Sequence, residues 1–180
     1  MATTYTLELH DWSKHNIVVT DNAGNPVCTG DTRMCNPRVT FQDPKSEEVM
    51  ATATFPMFAS NVQLTMRNTV LSMSKQGMFS RSYSFTTSTG ESMTWHTDSS
   101  NVTCVDSKGQ TVAQITRHGW TGRTRTIELA PGIEEEVLLA GVVMVVVQRK
   151  RHSRRHERLG TQDNEAARVN HHLQYDSSFI

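Results

Sequence analysis

From Tyr5 to Leu129 apolar and polar residues alternate in short runs, and clusters of turn-forming residues interrupt them at intervals of roughly 8–12 residues. The alternation predicts strands at Tyr5–Leu9, Ile17–Thr20, Pro26–Thr29, Val39–Phe41, Val49–Phe55, Val62–Met66, Ser82–Thr86, Ser92–His96, Val102–Val105, Thr111–Thr116 and Thr124–Leu129. Short strands at such spacing fit an all-β sandwich or barrel. Three connections carry hairpin chemistry: Asp21–Asn25, Ser88–Glu91 and Asp106–Gln110. Each holds a Gly that can adopt the positive φ of a tight turn, and two open on an Asp whose carboxylate can accept the turn amides. The Asp21 and Asp106 hairpins share a pattern of Val, Asp, Gly and Val. That likeness has two readings, a doubled β unit or one hairpin rule used twice.

The alternation stops at Ile133. Val137 to Val147 is an unbroken apolar run of eleven residues, with three Glu before it and Arg149, Lys150 and Arg151 after it. As a strand it would be about twice the usual length, and as a helix about 16 Å long. Its valines favour a strand. The charges favour a helix, because Glu at the N-terminus and Arg or Lys at the C-terminus complement the macrodipole. A helix apolar on every side belongs in a core or a bilayer, and eleven residues fall short of the ~20 that span a hydrocarbon slab. A buried core helix at about 133–151 is therefore expected, with Gly141 where strands approach the backbone. The polar remainder, residues 152–180, reads as a flexible tail that begins basic, after a domain at 1–151.

Composition supports a β-rich chain: Val and Thr together supply 40 of 180 residues. The formal charge is zero, which excludes a generally basic nucleic-acid coat. The zero hides an asymmetry, because residues 149–158 carry net +5 and the other 170 residues net −5. Three cysteines without a CxxC pair and no apolar segment after the first Met make a secreted disulfide framework a poor fit. A cytoplasmic setting, with a nuclear or peripheral-membrane one as alternatives, is the expectation.

An antiparallel β domain closing on a wholly apolar helix resembles the tubby C-terminal, phospholipid scramblase and LURP-one-related superfamily, and within it a fungal group of uncharacterised proteins. The residues that carry the likeness are Val19–Val27, Phe79-x-Arg81-x-Tyr83-x-Phe85 leading to Thr94-Trp95, Cys104–Ala113, and Ile127–Leu129 followed by Val137–Arg149. The resemblance implies a closed antiparallel barrel of about twelve strands around one hydrophobic helix. Tyr83, Phe85, Trp95 and Leu129 would then face the helix. Here the basic run extends to Arg158 and 22 residues follow it, which departs from the shorter basic end of several members.

Catalytic motifs are weak. Gly90-Glu91-Ser92-Met93-Thr94 lacks the last glycine of a nucleophile elbow and lies in a hairpin. Gly119-Trp120-Thr121-Gly122 imitates a GxxG clamp but sits between strands. His152 and His156 share a helical spacing, and His171-His172 form a pair, yet the neighbouring Arg and Lys repel a cation. Cys28 and Cys35 need no role beyond packing. Ser178-Phe179-Ile180 is a short pattern suited to a PDZ groove. No cofactor, metal or catalytic residue is implied.

Two basic clusters remain. Arg149, Lys150, Arg151, Arg154, Arg155 and Arg158 form a group of the kind that meets anionic lipid headgroups, and Arg117, Arg123 and Arg125, with His118, form a smaller one on a strand pair. The first also reads as a nuclear import address or as a solvated helix end. Tubby-like relatives bind phosphoinositides through basic barrel residues, which makes an anionic phospholipid surface or a protein the expected partner and disfavours nucleic acid. The function expected is a non-catalytic binding module. The alternatives are an assembly protein without ligand, or an enzyme acting in a barrel pocket.

Overall fold

A computed structural model describes residues 2–10, 16–31, 38–55, 61–67, 69–77, 80–98, 101–119, 122–133 and 135–151. Among them twelve strands run up and down in sequence order: β1 (Thr3–Leu9), β2 (Asn16–Thr20), β3 (Pro26–Asp31), β4 (Arg38–Gln42), β5 (Val49–Thr54), β6 (Asn61–Met66), β7 (Val70–Lys75), β8 (Ser82–Thr86), β9 (Ser92–Thr97), β10 (Asn101–Val105), β11 (Thr111–His118) and β12 (Thr124–Leu129). Every pairing is antiparallel, and β1 pairs with β12 to close the barrel, Tyr5 opposite Ile127. Closure leaves no sheet edge exposed.

Eleven of these strands are the predicted ones, most of them a residue or two longer, with β8 and β12 at the predicted bounds and β5 ending one residue earlier. The twelfth, β7, has the sequence VLSMSK, whose Ser, Met and Lys give little strand propensity. What makes it a strand is Leu71 and Met73, both buried at period two opposite Leu64 and Val62 of β6. Along β4, β6, β8, β9 and β10 the same alternation holds, so each strand turns one side chain in two toward the interior.

The hairpins that close one end follow the predicted chemistry. Asp21 Oδ1 accepts the amides of Ala23 and Asn25 at 2.9 and 2.8 Å, and Asp106 Oδ1 accepts those of Lys108 and Gln110, both at 2.8 Å. Gly24 and Gly109 take φ of 80° and 77°. A third loop uses the same device unannounced: Asp43 Oδ1 accepts the amides of Lys45 and Ser46, and the positive φ falls on Glu47, at 58°. All three loops carry a register shift at the strand before the Asp. The Asp21 pattern maps β2–β3 onto β10–β11, eight strands along a barrel of twelve, where a half-barrel repeat would move it by six. One hairpin rule used repeatedly accounts for the likeness.

After β12 the chain turns through Pro131 and Gly132, with Ala130 N donating to Val112 O at 2.8 Å, and residues 135–151 are helical (α1). Two compact units are distinguished, 1–145 and 146–180. In the first, α1 as far as Val145 fills the barrel interior. Residues 137–145, apart from Gly141, are each at most 5% exposed, and a Cβ on Gly141 would stand 2.8 Å from the Trp95 ring and 3.0 Å from Ile115 Cδ1. Trp95, on β9, and Ile115, on β11, are inward residues of the wall with no exposure. The predicted inward set of Tyr83, Phe85, Trp95 and Leu129 is buried throughout.

The valines are helical because burial outweighs propensity. Four Val and one Gly between 137 and 145 cost roughly 3 kcal/mol relative to Ala. Burying the seven large apolar side chains of that stretch returns about 1.5–3 kcal/mol each. In the second unit, Val146, Val147 and Gln148 are buried, and Arg149, Lys150 and Arg151 are half-buried. The tail expected at 152–180 lies outside the described residues, as do Cys35, Trp120 and the histidine pairs.

Candidate functional site

The up-and-down order gives the barrel two rims of different chemistry. One is closed by the Asp21, Asp43, Thr87 and Asp106 hairpins and receives the start of α1. Glu136 marks that entry: its Oε2 accepts the Ser88 amide at 2.9 Å, which ties the helix N-terminus to the 87–91 turn. The other rim collects the far ends of every strand, and there the smaller basic cluster is found.

Arg117 and Arg125 are register partners across β11 and β12, and Leu7 is the partner of Arg125 on β1. Both arginines therefore share the inward parity of Ile115 and Ile127. At the rim, Arg117 escapes it. Its side chain is exposed and lies over Gly122, where φ is 57° and a Cβ would collide with the guanidinium. Arg125, its partner in the same pair, is 5% exposed, so it is an interior residue and stands apart from the expected surface group. Arg123 is exposed, and its carbonyl accepts the Leu9 amide at 2.8 Å. His118 is exposed, its Nε2 2.7 Å from Thr126 Oγ1.

The same rim holds three cations outside the two basic clusters read from the sequence. Arg38 opens β4, Lys75 closes β7, and Arg81, whose carbonyl accepts the amide and hydroxyl of Thr97, precedes β8. Arg38 and Arg81 are exposed and Lys75 half-buried. Among the described residues, Glu8, Asp31 and Asp98 are the acids of this rim. Of the larger cluster, Arg149, Lys150 and Arg151 are the last helical residues, and Arg154, Arg155 and Arg158 lie outside the described residues.

Candidate nucleophiles have settled structural places. Cys28 and Cys104 are buried in the wall, and burial, chiefly, pushes both thiols up to about 12. For Cys28 the negative charges of Glu135 and Asp43 add to the shift. Neither is a thiolate near neutral pH. Ser82 Oγ lies 2.8 Å from His96 Nδ1, a pair the sequence reading passed over, but both sit on the convex outer wall. They continue a ladder in which Ser84 meets Thr94 at 3.0 Å and Gln76 at 2.6 Å. Such cross-strand pairs stabilise a sheet and enclose no substrate. Ser92, from the elbow-like segment, opens β9 as an exposed strand residue. Among the described residues no three His, Cys, Asp or Glu converge as metal ligands, and no helix is long and apolar enough to cross a membrane.

The pattern defining the LURP-one-related family matches residues 3–146. Among solved structures, the chain is similar to a protein of Arabidopsis thaliana, with 12% identity over 80% of this chain and 88% of that one and a TM-score of 0.46. No functionally curated protein matches.

Proposed function

The chain belongs to the LURP-one-related family, and we propose that it is a non-catalytic binding module that docks on an anionic phospholipid surface at the cytoplasmic face of a membrane. Family membership is compatible with such a module. The observation that carries the reading is the concentration of charge: six Lys or Arg and one Glu in residues 149–158, in a chain whose other residues sum to −5. Basic residues close to an anionic leaflet contribute about 1 kcal/mol each, so a run of this size suffices for reversible docking. The helix supports the non-catalytic part, because the interior that a barrel enzyme would use for substrate is occupied by Val137–Val145.

The mechanism is electrostatic. Arg149, Lys150, Arg151, Arg154, Arg155 and Arg158 would exchange counterions for lipid phosphates, and the interaction would weaken as salt shortens the Debye length. The test is co-sedimentation of the full chain with phosphatidylcholine vesicles containing phosphatidylserine or a phosphoinositide. Binding is expected at low salt, with a steep fall at higher salt and a large loss when the six residues are replaced by Gln. Absence of binding at low salt would eliminate the reading.

A further inference from the structure

We propose that the barrel is electrically polarised so as to dock end-on, with the rim carrying Arg38, Lys75, Arg81, Arg117 and Arg123 against the anionic membrane and the hairpin rim turned away. The inference rests on the reading above that the chain binds anionic lipid. It adds a second contact face and an orientation.

The polarity is a matter of where the strands begin and end. Among the described residues of the first unit, the hairpin rim holds Asp21, Asp43, Glu47, Glu48, Glu91, Asp106, Glu128, Glu135 and Glu136 against Lys45, Arg67 and Lys108, net −6. At the opposite rim the five named cations and the buried Arg125 face Glu8, Asp31 and Asp98, net +3. The wall between them is almost without charge: its outward residues are mostly hydroxyls and amides such as Thr40, Thr52, Gln63, Ser72, Thr94 and Thr103.

The acidic pole has a local cause. Asp21, Asp43 and Asp106 are there because their carboxylates accept hairpin amides, and Glu135 and Glu136 because they stand at a helix N-terminus. Arg and Lys have no part in the turn chemistry that sets the acidic pole, and five of them stand at the other end. The five come from three separate places in the chain: Arg38 opens β4, Lys75 and Arg81 flank the β7–β8 connection, and Arg117 and Arg123 flank the β11–β12 connection.

Geometry then selects the orientation. Strands of about six residues rise about 3.3 Å per residue and tilt by roughly 40° in a barrel, so the two poles are about 15 Å apart along its axis. The Debye length near physiological salt is about 8 Å. With the basic rim on the surface, the repulsion of the acidic pole is screened. Inverted, a net −6 would lie against lipid phosphate, and side-on both poles would be within range.

The experiment uses the full chain in a Cys35→Ser background, in which Cys28 and Cys104 are buried. A fluorophore is placed on Ser74→Cys, exposed near the basic rim, or on Ala23→Cys, exposed in the Asp21 hairpin. Phosphatidylcholine–phosphatidylserine vesicles carry a quencher on the lipid. Quenching at position 74 with little at 23 is expected. Replacing Arg38, Lys75, Arg81, Arg117 and Arg123 by Gln is expected to weaken vesicle binding about tenfold or more and to abolish the asymmetry, with an unchanged circular dichroism spectrum. Equal quenching at the two positions, stronger quenching at 23, or a rim variant that binds like its parent would overturn the end-on proposal while leaving the lipid-binding reading in place. A parent chain that does not bind overturns both.

Discussion

Gly141→Ala distinguishes a helix inside the barrel from a helix anywhere else. On an exposed helix the substitution stabilises by roughly 1 kcal/mol, because Ala is the better helix former. Here the new methyl carbon would stand 2.8 Å from Trp95 Cζ2, 2.9 Å from Cη2 and 3.0 Å from Ile115 Cδ1. Ile115 can rotate its terminal methyl. The indole is rigid and has no exposure, so it must displace its neighbours. Overpacking of this kind costs about 1–3 kcal/mol, which cancels or outweighs the propensity gain and leaves a net loss of up to about 2 kcal/mol. The partner substitution is Trp95→Phe. It removes the ring atoms that collide and deletes an indole N–H that is buried with no acceptor among the described residues. In that background Gly141→Ala should become neutral or stabilising by up to about 1 kcal/mol. Urea titrations of the four proteins, followed by circular dichroism, give the coupling directly. A Gly141→Ala protein that is about 1 kcal/mol more stable than its parent, with no dependence on residue 95, would refute the packing described for α1.

Other consequences concern the rims and the wall. Glu136→Ala removes the acceptor of the Ser88 amide at the helix entry and should cost about 1–3 kcal/mol in thermal or urea unfolding, whereas Glu136→Gln, which keeps an oxygen, should cost less. Asp21→Ala should lower the unfolding midpoint slightly through loss of the acceptor of two turn amides, with Asp21→Asn recovering part of the loss. In an NMR titration the Asp21 and Asp43 carboxyls should protonate below the ordinary aspartate range, Asp21 because Asn25 donates to it and Asp43 because the amides of Ser46 and Lys45 do. The stability they add is complete above the unfolded-state value and is lost as pH falls through the folded one. For Cys28 and Cys104 the sign is opposite: the unfolded chain ionises first, so stability should decline from about pH 9 upward and alkylation of both thiols should track unfolding.

The sequence carried the barrel where local chemistry and long-range pairing agree. The Asp–Gly hairpins could be read because turn geometry depends on neighbouring residues alone, and the apolar run because its charge brackets agree with a helix. β7 escaped notice because its period-two signal is only Leu71 and Met73, set among residues that do not favour strands. The 43–48 loop escaped because Glu47 takes the conformation usually given to Gly. The helix contradicts its own valine propensity, and only the enclosure by twelve strands explains it. The site was less accessible to sequence. Alternation along β12 carries the inward turn of Arg125 in the spacing of Arg125, Ile127 and Leu129, a signal that was available and that clustering by charge overrode. That Arg38, Lys75 and Arg81 share a rim with Arg117 was not available, since strands far apart in the chain are brought to one end only when the barrel forms.

The account depends most on α1 being enclosed by the closed sheet, and native-state hydrogen exchange tests this directly. Amides of residues 139–145, beyond the first turn whose N–H groups lack helical partners, should exchange only through global opening. Their free energy should equal that from urea unfolding and match the amides of Trp95 and Ile115. Exchange of 139–145 several kcal/mol below the global value, while β9 and β11 remain protected, would contradict the enclosed helix.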